Sequence, residues 1–268
     1  MIKILDLKFL GYNDTIAAFL VETSEGPILF ETGPYSTFEQ LKKELARHNY
    51  APADIKQVFL THIHLDHAGA AWAFAELGAQ VHVHPFGLAH LVDPSRLMES
   101  AKRIYKEDMD RLWSDMKAIP KEQLSTPKHG ASFQVGEQTI TAWYTPGHAV
   151  HHIAWQVGDE LIAGDVGGVS IGGAIVVPPC PPPDINVEDW QASIELIKGL
   201  DLKTIYLTHY GAVTDISNHL NALEKILLDW ANWIKPYWEA GKHPSEVTPL
   251  FQAYVKQQLM AAGIKGEG

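Results

Sequence analysis

The segment Thr61-His62-Ile63-His64-Leu65-Asp66-His67 places four metal-ligating side chains within six residues, directly after the apolar run Gln57-Val58-Phe59-Leu60. Unpaired imidazoles and carboxylates are costly to bury, so a buried strand that runs into such a cluster must open onto a polar site. If the strand stops at Leu60, His62 and His64 share one side of the extended segment that follows. Asp66 and His67 then fall at the entrance to the next helix, and one short segment can feed two adjacent ions. Imidazole nitrogen and carboxylate oxygen suit zinc, with iron and manganese as alternatives. The bland reading is a loop of solvated histidines. The defined spacing disfavours it, as do three more donors that each end an apolar run: His148 in Thr145-Pro146-Gly147-His148, Asp165 in Ala163-Gly164-Asp165, and His209 in Leu207-Thr208-His209.

Around these positions the chain reads as mixed α/β. Residues 2–9, 16–21 and 27–31 have the composition of strands separated by turns at Gly11-Tyr12-Asn13-Asp14 and Ser24-Glu25-Gly26-Pro27. Apolar spacing predicts a helix from Thr37 to Arg47, a second from Gly69 to Leu77 and a strand from Gln80 to His84. Residues 94–119 form a separate block. Leu97, Ala101, Ile104, Tyr105, Met109, Leu112, Trp113 and Met116 lie on one helical stripe, read as a helix packed on the core or a lid over the site. Strands return over Ser132–Val135, Thr139–Tyr144, Ile153–Val157 and Leu161–Ala163, before the stiff proline-rich connector Pro178 to Pro183. Asn186 caps a helix reaching about Lys198, and the strand Thr204–Leu207 delivers His209. The remainder, about 215–262, is a helical extension with Leu220, Leu223, Leu227, Trp230 and Ile234 on one stripe. The whole of 1–268 is expected to form a single domain.

The ordered set, H-x-H-x-D-H at 62–67, then His148, Asp165 and His209, resembles the metallo-β-lactamase superfamily over about residues 1–215. The resemblance implies an αββα sandwich of four layers with the site at one edge. It assigns His62, His64 and His148 to one metal, Asp66, His67 and His209 to a second, and Asp165 as a bridge between them. It further implies that a metal-bridging hydroxide is the nucleophile, with Asp66 and Asp165 as the catalytic carboxylates that orient it and take its proton. Members with a cysteine ligand carry it where this chain has Asp165, and the flavin-linked diiron members carry Glu where His64 stands. What remains is the glyoxalase II, lactonase and esterase-like group. A small ester, lactone or thioester is the leading substrate class. A phosphodiesterase and a mononuclear iron enzyme like the persulfide dioxygenases are the alternatives.

Several other residues carry two readings. Glu31-Thr32-Gly33 stands where the family commonly has Asp-Thr-Gly, so Glu31 is either a carboxylate bracing a ligand or a solvated acid. His151 and His152 are read as lying on opposite strand faces, at most one towards the metals and neither as an eighth ligand. His82 and His84, two apart, are read as core or surface histidines. Tyr12 and Tyr210 can donate to a developing oxyanion, but ordinary packing is the simpler role. Cys180 reads as a small apolar or exposed thiol. The cluster Trp230, Trp233, Tyr237 and Trp238 reads as core or as a homodimer interface.

The net charge of −11, with no basic run, disfavours nucleic-acid substrates and points to a small molecule. No apolar run approaches the ~18–20 residues of a membrane span, and no secretory pattern opens the chain, so a cytoplasmic location is expected. One cysteine excludes an intrachain disulfide.

Overall fold

Strands that are apolar on both faces must be covered on both, and the chain does this with four layers. The computed structural model describes residues 1–181 and 183–264. In the first sheet β1 (Lys3–Asp6), β2 (Ala17–Thr23), β3 (Gly26–Phe30), β4 (Gln57–Phe59), β5 (Gln80–His82) and β6 (Leu124–Ser125) lie side by side in chain order. The second sheet likewise holds β7 (Ser132–Val135), β8 (Gln138–Tyr144), β9 (Ile153–Val157), β10 (Glu160–Ile162), β11 (Thr204–Leu207) and β12 (Gly211–Val213). Six helices pack against the first sheet: α1 (Phe38–Arg47), α2 (Leu65–Ala68), α3 (Ala71–Glu76), α4 (Pro85–Val92), α5 (Ser95–Tyr105) and α6 (Met109–Leu112). On the second sheet lie α7 (Val187–Lys198) and the first half of α8 (Ile216–Glu239), which is followed by α9 (Pro244–Ala261).

Alternation along β2 shows how the layers form. Phe19 and Val21 enter the core between the sheets, while Ala18 and Leu20 enter the core under the helices. Trp155 of β9 crosses the sandwich, its indole N–H donating to the Leu60 carbonyl at 2.9 Å. Pairs β3–β4, β4–β5 and β10–β11 are parallel, so the carboxyl ends of these strands fall at one end of each sheet. The segments after β4, β8, β10 and β11 carry the candidate donors, and β8 runs parallel in direction to β10 because both pair antiparallel with β9.

Three expectations need correction. The 94–119 block is not one helix: Lys106 takes a left-handed φ of 47° that ends α5, and a short turn leads into α6. Ile104 of the expected stripe is accordingly 63% exposed. The strand expected over 2–9 stops at Asp6, with a 3₁₀ turn at Phe9–Gly11. The strand expected from Gln80 to His84 stops at His82, and His84 instead caps α4, its Nδ1 accepting from the Phe86 N–H at 3.1 Å. Of the proline-rich connector, Pro182 lies outside the described residues.

His82 sits in the sheet with its ring stacked on Phe59 at 4.3 Å and its Nε2–H donating to Gln57 at 2.6 Å. Burial lowers its pKa to about 4. The unfolded chain therefore binds the proton first, and the stability this neutral ring contributes is complete above the unfolded value of about 6.5 and drains away towards pH 4. His82→Phe keeps the stack and removes the titration. Urea unfolding at several pH values should show the variant gaining about 2 kcal/mol on the wild type between neutrality and about pH 5. An unchanged acid limb would rule this role out.

Candidate metal centre

Four of the histidine donors are each held by the hydrogen bond made by the other ring nitrogen. His148 directs Nδ1–H to the Pro179 carbonyl at 2.9 Å, and His209 directs Nδ1–H to the Thr15 carbonyl at 2.9 Å. The Nδ1 of His67 lies 3.0 Å from the carboxylate of Glu31, and that of His62 lies 3.0 Å from the Thr61 hydroxyl oxygen. In the neutral form of each of these four rings, the form that ligates a metal, these contacts leave Nε2 as a lone pair aimed inward.

Those lone pairs meet other donors. His62 Nε2 lies 2.8 Å from His64 Nδ1, which lies 3.0 Å from His148 Nε2. Burial and then mutual repulsion hold the rings of His62 and His64 neutral, His64 with a pKa of about 4. With all three nitrogens unprotonated their facing lone pairs repel, and a shared cation satisfies all of them at once. A second set joins Asp66, His67 and His209, with His209 Nε2 at 3.3 Å from Asp66 Oδ2. Asp165 lies between the sets: Oδ2 is 3.4 Å from His148 Nε2, and Oδ1 is 3.3 Å from His67 Nε2 and 3.5 Å from His209 Nε2. His67 Nε2 and Asp165 Oδ1 are buried with no hydrogen-bond partner, a rare condition in folded proteins that a metal ion relieves. Two such groups fit the residues present.

Burial opposes charge on His67, yet the carboxylates of Asp165, Asp66 and Glu31 raise its pKa well above the ordinary value. Burial likewise opposes ionisation of Asp165 and Asp66, and the neighbouring histidines, His67 foremost, outweigh it in both, holding them as carboxylates. Glu31 braces the site as the first of its two readings expects. Fully buried, it accepts from the Thr61 hydroxyl and lies 3.4 Å from that of Thr208, besides its contact with His67. Its left-handed φ of 60° turns the carboxylate under the site at the end of β3.

His151 and His152 do not lie on opposite strand faces, because β9 starts only at Ile153. Both rings approach His62, with centroids at 6.1 and 5.2 Å. His152 is tied to the Thr145 hydroxyl at 2.8 Å, and His151 lies 3.9 Å from Asp184. Tyr12 is 69% exposed, Tyr210 packs against the core between the sheets, and Cys180 is an exposed thiol. At the end of α5, Tyr105 has its phenol pKa raised by burial and by the charge of Asp66.

A family profile described as the metallo-beta-lactamase superfamily matches residues 12–209, more than half of the chain. The chain belongs to the metallo-beta-lactamase superfamily. Among superfamily relatives, it is 27% identical over 162 residues to the metallo-beta-lactamase fold-containing protein ST1585 of Sulfurisphaera tokodaii, covering 59% of this chain and 61% of that one. It is 29% identical over 220 residues to the thioesterase pkgB of Emericella nidulans, covering 78% of this chain and 52% of that one. The matches thus span less than two thirds of either relative. In structure, ST1585 superposes with a TM-score of 0.67 at 22% identity over 82% of this chain and 84% of that one. A metallo-beta-lactamase family protein of Thermus thermophilus, TTHA1429, gives 0.67 at 21% identity over 87% and 81%. These two likenesses establish the shared superfamily fold.

Proposed function

We propose that this superfamily member is a hydrolase of a small ester, lactone or thioester that holds two divalent metal ions, zinc being the first candidate. His62, His64 and His148 would hold one ion and Asp66, His67 and His209 the other, with Asp165 shared. The observation that carries this reading is Asp165, whose two oxygens face the two nitrogen sets separately. When bound, such ions supply an acidified water at neutral pH and polarise the oxygen it attacks.

The chain's own residues would do the rest. Asp165 keeps its carboxylate 5% exposed and fixes the spacing of the two sets. Asp66, 24% exposed, is the more open of the two acids, so its carboxylate is placed to accept the proton of the attacking water and pass it out. The thioesterase name of one relative favours a carbonyl substrate.

The test is elemental analysis of protein purified without added metal, beside a panel of aryl esters, lactones, acyl thioesters and bis-aryl phosphodiesters. Close to two ions per chain and turnover confined to the carbonyl compounds are expected. One iron per chain would overturn the two-ion reading in favour of the mononuclear one, and turnover of the phosphodiesters alone would overturn the substrate class.

A further inference from the structure

The α8–α9 hairpin is not accounted for by the site. Leu220, Leu223 and Leu227 anchor the first half of α8, but no residue of α9 is buried. An apolar groove of about 350 Å³ is lined by Trp230 of α8 and, on α9, by Phe251, Val255 and Leu259 at four-residue steps together with Lys256 and Met260. The row that begins at Trp230 continues along α8 through Ile234, 38% exposed, to Trp238, 76% exposed. Eight residues of helix separate Trp230 from Trp238, about 12 Å. The hairpin therefore carries a groove at one place and a protruding indole farther along α8.

We infer that a second copy of this chain covers the hairpin, in a two-fold dimer in which Trp238 of each copy seats in the Trp230–Met260 groove of the other. Two observations select a copy of the chain over another partner. The first is self-complementarity: a two-fold axis pairs residue i with j and j with i, so a knob and a groove offset along one hairpin satisfy each other twice. The second is charge. The four lysines between Ile216 and Ile264 offset four acids, so the whole net charge of −11 lies outside the hairpin, and two copies can meet there without the repulsion they would meet elsewhere. The local charges agree. Glu239 adjoins Trp238 and faces Lys235 of its own helix at 3.9 Å, and Lys256 lines the groove with no ion pair among the described residues, so each inserted knob brings an acid near that lysine.

The inference does not depend on the metal centre, and its readout is mass in solution. Wild-type protein should sediment as a dimer at micromolar concentration. Trp238→Glu and Met260→Lys replace exposed side chains, so each should keep the wild-type circular dichroism and melting temperature while weakening the dimer on the order of tenfold or more. An equimolar mixture of the two variants should recover dimers, since one of its two contacts is then wild-type and the other sets the introduced carboxylate against the introduced ammonium. A wild-type monomer across the micromolar range would overturn the proposal. So would a dimer indifferent to both substitutions, and a mixture that stays monomeric would overturn the reciprocal pairing.

Discussion

Asp165→Asn is expected to reduce hydrolysis by on the order of 10³-fold or more and to lower bound metal from two ions per chain towards one. The amide keeps the volume of the side chain but removes its charge, and it can turn an N–H towards the Nε2 lone pairs of His148 or of His67 and His209, which lie 3.3–3.5 Å from the two oxygens. Asp66 still faces His209, and the hydrogen bonds that set each ring's tautomer do not involve Asp165, so the fold should persist. Steady-state turnover on whichever ester the panel identifies, with metal content measured on the same preparation, is the check. A variant with two ions and wild-type turnover would remove Asp165 from the mechanism.

Gly147→Ala should be nearly as damaging, for a steric reason. Gly147 has φ 134°, and a Cβ there would lie 2.4 Å from the Cα and Cβ of Trp190. Trp190 cannot yield: it is fully buried on α7, its indole N–H bonds the Val166 carbonyl at 2.9 Å, and the Asn186 N–H ahead of it bonds the Gly147 carbonyl at 2.9 Å. The methyl must push α7 outward or displace the next residue, His148. A loss of about 3 kcal/mol and a fall in melting temperature on the order of 10 °C are expected, with metal loss below that temperature. Gly158→Ala is the control. It too has a left-handed φ, 61°, but open space around its Cβ. If both variants melt alike, backbone strain and not close approach governs position 147.

The donors were legible because most of them follow an apolar strand, and strand ends are what parallel pairing brings together. Hydrophobic alternation likewise placed most strands to within a residue or two. Less visible were features decided by contacts distant in sequence. Glu31 supported two readings because its partners, Thr61 and Thr208, stand 30 and 177 residues away. The helix α4 opens on Pro85-Phe86-Gly87, where proline suits a first turn and glycine disfavours a helix. Gly87 is there because a Cβ would approach the methyls of Ile63 and Val83 at 2.7 and 2.9 Å. Lys106 shows the opposite failure, since no glycine or proline announces the break between α5 and α6.

Glu31 has a consequence beyond holding His67. It stands at the end of β3, Thr61 just past β4, and Thr208 just past β11, which belongs to the other sheet. Nearby, the Ile153 N–H reaches the Thr61 carbonyl at 2.7 Å and the Ala17 N–H reaches the Thr208 carbonyl at 2.9 Å, again joining one sheet to the other. The carboxylate is thus a clasp on the seam of the sandwich, and the histidines above it are fastened to both halves. Metal content and the cohesion of the two sheets become one variable. Chelation should loosen this edge first, so that hydrogen exchange at Thr61, Ile153 and Thr208 reports the loss of the ions before the rest of the fold responds.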